Sequence, residues 1–174
     1  MNKNEELLPY YEKAREDLNY DRTTGIFTWR VSNSKRVKIG NFAGYLNHNG
    51  YRQIKATING KPKHLLAHRL AWFIYYGELP NTIDHINGMK DDNKITNLRS
   101  CTHQQNSFNT GKQTNNKSGY KGVSWYNSRG SWRAQIHHNG KVIHLGYFNS
   151  AKEASEAYQT KAKELHGEFY AEKS

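Results

Sequence analysis

Only 35% of the 174 residues are hydrophobic, so the chain holds one domain or two small ones, none with a large core. No apolar run approaches the roughly 20 residues of a membrane span, and the polar, acidic stretch from Met1 to Lys13 lacks the apolar centre of a secretory signal. Cys101, the single cysteine, excludes an intramolecular disulfide and a cysteine-rich zinc site, while 26 Lys and Arg against 15 Asp and Glu leave a formal charge of +11.

The placement of that charge says more than its size. No Asp or Glu occurs between Arg22 and Gly77, and none between Asn93 and Lys152. Soluble surfaces ordinarily mix both signs, so two long basic, aromatic-rich segments without acids point to a polyanion whose phosphates they neutralise. No membrane partner is expected. The lone cysteine fits a reducing cytoplasm, and its neighbours suggest a buried structural thiol.

Asn4 to Leu18 predicts a helix with Glu5 and Glu6 in the first turn, where the helix dipole favours acids. Leu7, Leu8, Tyr11 and Leu18 are candidates for its buried side, and Pro9 requires the helix proper to begin close to it. A turn over Tyr20 to Gly25 leads into a strand at Ile26 to Trp29. From Val31 to Leu66 short strands alternate with tight turns, with hairpin signals at Asn49-Gly50 and Asn59-Gly60. Ile54, Ala56 and Ile58 mark one core face of this small sheet, which Lys35, Arg36, Lys38, Arg52, Lys55, Lys61 and Lys63 decorate. Leu66, Leu70, Phe73 and Ile74 are spaced for a helix over Leu65 to Tyr76, stopped by Gly77 and Pro80.

Thr82-Ile83-Asp84-His85 is a β-type run that sets an acid beside an imidazole, on opposite faces because strand side chains alternate. Asn87-Gly88 signals a turn with positive φ, and an Asp- and Asn-rich loop leads on to a second short strand, Asn97-Leu98-Arg99. Thr102 can cap a helix beginning near His103 that carries Asn106 and Asn109, with Phe108 as an apolar anchor. On this strand, loop, strand, helix unit Asp84, His85 and Asn106 are free to converge. The Asp84 carboxylate and the Asn106 carbonyl are oxygen donors of the kind a hard divalent cation accepts, leaving room for water and a phosphate oxygen. His85, facing away, titrates near neutral pH and can take a proton from an attacking water. That set describes phosphodiester hydrolysis. An ordinary strand end with turn-capping Asn residues explains any one of these positions, but explains the ordered set poorly.

Ala67 to Asn109, with Asp-His-x-Asn-Gly, Asp-Asn, Asn-Leu-Arg and Gln-Asn in order, closely resembles the HNH endonuclease family in its phage and intron-encoded branch. The resemblance implies His85 as general base, Asp84 and Asn106 as metal ligands, and Asn97 as the residue that ties the loop down and orients the catalytic strand. Asp and Asn stand where nuclease toxins of the family carry His, which implies one Mg²⁺ or Mn²⁺ per active site rather than zinc. The preceding β segment resembles the one that accompanies such cores in phage nucleases. His68 lies in a His-Arg-Leu sequence that related nucleases also carry, and a hydrogen-bonded packing histidine is the favoured reading over a catalytic one.

Thr110 to Ser118 is polar and aperiodic, a basic linker that can lie along a groove. Beyond it come three β-type runs, Tyr120–Ser124, Trp132–His137 and Val142–Tyr147, and a helix opened by Ser150 with Glu153 as a capping box. Ala154, Ala157, Tyr158, Ala162 and Leu165 form its inner face. Alternation puts Trp132, Ala134 and Ile136 toward that helix and Arg133, Gln135 and His137 outward, where Arg and Gln can read guanine and adenine edges in a major groove. Tyr120-Lys121-Gly122-Val123, Trp132 to Ile136, Leu145 to Phe148 and Ala157-Tyr158 resemble the plant ethylene-response-factor type of DNA-binding domain. The resemblance implies Lys121, Ser124, Tyr126, Arg133, Gln135, His137 and His144 as DNA-facing. Several of these are Arg or Trp in the plant domain, so its target sequence does not transfer. A sheet that serves only protein interaction is the competing reading.

The expected fold class is α+β: a ββα-metal nuclease core with a small N-terminal β segment, joined to a three-stranded antiparallel sheet plus one helix. The expected divisions are an N-terminal helix and β segment over 1–63, the nuclease core over 64–110, a basic linker over 111–118 and the DNA-binding domain over 119–174. The function implied is a site-specific DNA endonuclease of the homing type, acting on double-stranded DNA in the cytoplasm of a host cell and leaving 5′-phosphate and 3′-hydroxyl ends. One chain supplies one active centre, so it nicks as a monomer or cuts both strands as a dimer on DNA, with no obligate protein partner evident. A regulator with a decayed nuclease core and a nonspecific nuclease are the alternatives. Intact Asp84, His85, Asn97 and Asn106 argue against the first, and a dedicated C-terminal sheet argues against the second.

Overall fold

In a computed structural model, which describes residues 3–32, 37–109 and 116–169, the chain opens with helix α1 (Lys3–Asp17). Lys35, Arg36 and most of the expected linker fall outside the described residues. Pro9 lies well inside α1 rather than near its start. A proline removes one helical hydrogen bond, and burial of Tyr11 and Ala14 on the following turn holds the helix together past it. Leu7 packs against the core whereas Leu8 is exposed, so the buried stripe is narrower than the apolar residues suggest.

Strands β1 (Leu18–Asp21) and β2 (Ile26–Trp29) form an antiparallel hairpin. Strands β3 (Tyr45–Leu46), β4 (Arg52–Ile58) and β5 (Lys61–Leu66) form a three-stranded antiparallel sheet in that order. Asn59 and Gly60 both take positive φ, 48° and 75°, the turn that an Asn-Gly pair favours. Leu65 and Leu66 pair with Ile54 and Gln53, so helix α2 (Ala67–Tyr76) starts at Ala67 and not at Leu65. Ladder bonds to β4 override the helical spacing there. Strands β6 (Thr82–His85) and β7 (Leu98–Cys101) pair antiparallel, with Asp84 opposite Arg99 and His85 opposite Leu98. Asn97 ends a short 3-10 turn (Ile95–Asn97) just before β7, where the sequence suggested strand. Helix α3 (His103–Asn109) follows Thr102.

The chain divides into two compact units, Met1–His103 and Gln104–Ser174. In the first, one hydrophobic cluster runs from Tyr11, Ala14 and Leu18 through Phe27, Ile54 and Leu65 to Leu70, Phe73, Ile83 and Leu98. Helix α1, both small sheets and the β6–β7 pair therefore share a single core. In the second unit β8 (Val123–Tyr126), β9 (Ser131–His138) and β10 (Lys141–Phe148) form an antiparallel sheet with β9 in the middle. Ala134 and Ile136 of β9 are buried with Ala154, Tyr158 and Ala162 of helix α4 (Ala151–His166). Ser150 Oγ accepts the Glu153 N–H at 3.1 Å, capping the helix. A Cβ on Gly122 would come within 2.2 Å of the Tyr158 ring, so this glycine lets strand and helix approach. Among the described residues no helix is long and apolar enough to cross a membrane.

Candidate active site

The register of β6 against β7 places a carboxylate and a guanidinium side by side. Asp84 Oδ2 accepts from Arg99 Nε at 2.9 Å and from Nη2 at 2.7 Å. Both groups are largely out of water, and Asp84 is only 5% exposed. The alternation that gives Asp84 to Arg99 turns His85 to the other face, where its Nε2 lies 3.3 Å from Asn93 Oδ1. His68 packs edge-on against the His85 ring with centroids 5.0 Å apart, and Tyr51 lies 6.0 Å from His85 and 5.4 Å from His68.

Burial lowers the His85 pKa, while the Asn93 hydrogen bond and the charges of Asp84, Asp92 and Asp91 oppose that shift. His68 is pushed down to about 3, first by burial and then by His85 and Arg69. It is therefore a neutral packing partner at any ordinary pH. Burial and the Asp84 charge raise the Tyr51 phenol. Burial and Asp84 push the Cys101 thiol up to about 11, against Arg99; the thiol is half-buried rather than fully so.

Asn97 closes the loop between the strands. Its Oδ1 accepts the Asn87 N–H at 3.0 Å, and its Nδ2 donates to Asn87 Oδ1 at 3.0 Å and to the Asp92 carbonyl at 2.8 Å. Its backbone carbonyl takes the Ile86 N–H at 2.9 Å. Asn93, 1% exposed, is held in turn by Tyr20, whose hydroxyl donates to the Asn93 carbonyl at 2.7 Å. Gly25 at φ +75° lies against this loop: an added Cβ would sit 2.5 Å from Lys94 N and 2.6 Å from Asn93 C. Arg52 pairs with Asp91 at 2.9 Å, and Lys90 donates to the Asn49 carbonyl at 3.1 Å, so the β4 sheet braces the loop from another side.

Asn93, Arg99 and Tyr51 escaped the reading of the sequence. The Asp-Asn pair at positions 92 and 93 and the Asn-Leu-Arg run were visible there, but their roles depend on the loop path and the strand register. Asn106 is half-buried on α3, a helix that crosses the division between the units. Among the described residues no group of three or more His, Cys, Asp or Glu is placed to hold a metal. Of the two oxygen donors expected as ligands, Asp84 belongs to the first unit and Asn106 to the second. An oxygen-only pair with one buried anionic member fits a hard divalent cation by donor chemistry.

In the second unit the register brings five of the seven residues singled out there onto neighbouring strand positions: Ser124 opposite Arg133, Gln135 opposite His144, and Tyr126 at the end of β8. Arg133 Nη2 donates to Ser124 Oγ at 3.4 Å and its guanidinium lies 5.2 Å over the Tyr126 ring. His137 is exposed further along β9. Lys121 stands apart, in the turn before β8, where its charge acts on His166 at the end of α4.

The HNH endonuclease family model matches residues 65–108, from the end of β5 through α3. An uncharacterized HNH endonuclease, L560, of Acanthamoeba polyphaga mimivirus is 32% identical over 152 residues, which span 86% of this chain and 76% of that protein. The chain belongs to the HNH endonuclease family. Protein 3.8 of Escherichia phage T7 is 33% identical to this HNH endonuclease over 104 residues, 59% of this chain and 85% of that one. A solved structure titled "DNA binding and cleavage by the HNH homing endonuclease I-HmuI" is 24% identical with a TM-score of 0.42, covering 80% of this chain and 75% of that chain.

Proposed function

We propose that this HNH endonuclease is a site-specific, divalent-metal-dependent DNA endonuclease of the homing type, with His85 as its general base. The observation that carries the reading is the opposed placement of Asp84 and His85 on one strand. The carboxylate sits against Arg99 and the imidazole against Asn93. With Nε2–H donating to Asn93 Oδ1, Nδ1 is the basic nitrogen that takes the proton of an attacking water. Burial favours the neutral ring that this step needs. Asn97 holds the loop that carries Asn93 and so fixes the ring indirectly.

Asp84 and Asn106 would hold Mg²⁺ or Mn²⁺. When bound, such an ion supplies charge stabilisation at the phosphate and at the departing oxygen. Arg99 holds the Asp84 carboxylate in place through its two hydrogen bonds. The C-terminal sheet, read as an ethylene-response-factor-like module, selects the site through Arg133, Gln135, His137 and His144, with Ser124 and Tyr126 beside them and Lys121 at a phosphate. The absence of acids from Asn93 to Lys152 supports that surface as a polyanion partner.

A supercoiled plasmid incubated with the protein and Mg²⁺ is expected to be nicked or linearised, with 5′-phosphate ends. His85→Ala should slow this by about 10²- to 10⁴-fold, and undiminished cutting by that variant would overturn the assigned base.

A further inference from the structure

The outer face of the second unit's sheet carries an ordered stack as well as a row of polar groups. Arg129, in the turn between β8 and β9, lies 4.5 Å over the Tyr147 ring. Tyr147 lies 5.3 Å from Tyr126, over which Arg133 sits at 5.2 Å. The sequence along this face is guanidinium, ring, ring, guanidinium, with His144 flanking Tyr147 at 4.6 Å. Neither arginine has a carboxylate partner among the described residues. Arg133 Nε is buried without an acceptor, although Nη2 reaches Ser124.

An arginine on an open surface samples many rotamers and binds a phosphate from most of them. Reading a guanine edge is more demanding, because two N–H groups must align with O6 and N7 in one plane. Stacking on an aromatic face removes the out-of-plane freedom that spoils this alignment. The bulge in β10 between His144 and Gly146 matters here, because it shifts the register so that Tyr147 falls opposite Arg133. Without that extra residue the ring would not stand between the two arginines.

We propose that Tyr147 is the positioning residue of this face, holding Arg129 directly and Arg133 through Tyr126 so that both forks meet guanine edges of duplex DNA. The inference rests on the sheet being the site-selecting surface. The test uses the full-length chain. Duplexes it retains are recovered from a randomised pool, and Kd is measured for the best of them and for a shuffled duplex of equal composition. The wild type should prefer the selected duplex. Y147L should cut that preference by about tenfold while binding the shuffled duplex within about twofold of wild type, because phosphate contacts persist. Y147F keeps the ring and should keep the preference. R129A should lower it, and R129A/Y147L should lose less than the two single effects added, since one stack is removed in each. A wild-type preference in Y147L overturns the positioning role and leaves the site-selecting sheet standing. Equal loss on both duplexes overturns it as well, as the mark of a damaged fold. A wild type that cannot separate the two duplexes overturns both readings.

Discussion

The base role proposed for His85 requires a neutral ring, and its surroundings favour that state. Its pKa is lowered from the ordinary 6.5, with burial outweighing the pull of Asn93 and three aspartates. Cleavage is therefore expected to hold steady as pH falls toward 6.5 and to decline only below it, as the ring gains a proton. Initial rates from about pH 5 to about pH 8 check this, and an acid limb above the ordinary histidine value would contradict it. Asn93→Ala should lower the rate by about tenfold, since it leaves Nε2 of a buried ring without its acceptor. The sequence announced Asp84 and His85 because neighbours on a strand must face apart. It was silent on Asn93 and Arg99, which meet those two only through the loop path and the antiparallel register. His68 was legible as a packing group, and the ring contact with His85 gives that packing its direction.

At the level of the elements, two positions test how loop and helix hold their side chains. Gly25→Ala would drive a Cβ into the backbone of Asn93 and Lys94 at a φ of +75°. Urea unfolding should show a loss of about 1–3 kcal/mol, and cleavage should slow beyond what that loss explains, because the loop bearing Asn93 must shift. His166 closes α4, and burial first, then His138 and Lys121, pushes its pKa down to about 4. The unfolded chain takes up this proton near 6.5 and the folded one not until about 4. The unfolded state thus binds more protons across that window, and stability falls as the solution is acidified through it. Thermal melts of wild type and His166→Gln at neutral pH and at about pH 5 should show a smaller drop for the variant. Helix α4 and the β4–β5 hairpin were readable from a cap and an Asn-Gly turn, whose signals are local. The start of α2 was not, because Leu65 and Leu66 satisfy a helical spacing and a strand ladder equally and only pairing with β4 decides. Pro9 misled for the same reason, since the burial around it is invisible in one dimension.

For the molecule as a whole, affinity for DNA should fall with salt by about 0.9 log units per log unit for each phosphate neutralised. A nearly flat titration would mean that the two segments without acids do not touch DNA. Removing 119–174 separates site choice from cutting: the shortened chain should cleave weakly with Mg²⁺ and without preference, and an unchanged cleavage pattern would deny the sheet its selecting role. In the first unit one cluster runs from Tyr11 to Leu98. The stretch that carries the family signature borrows its interior from residues far upstream, so it is not a cassette. Excised as 64–110 it should remain unfolded by circular dichroism, and lineages that recombine this enzyme must carry the leader helix and both small sheets along with the cutting motif.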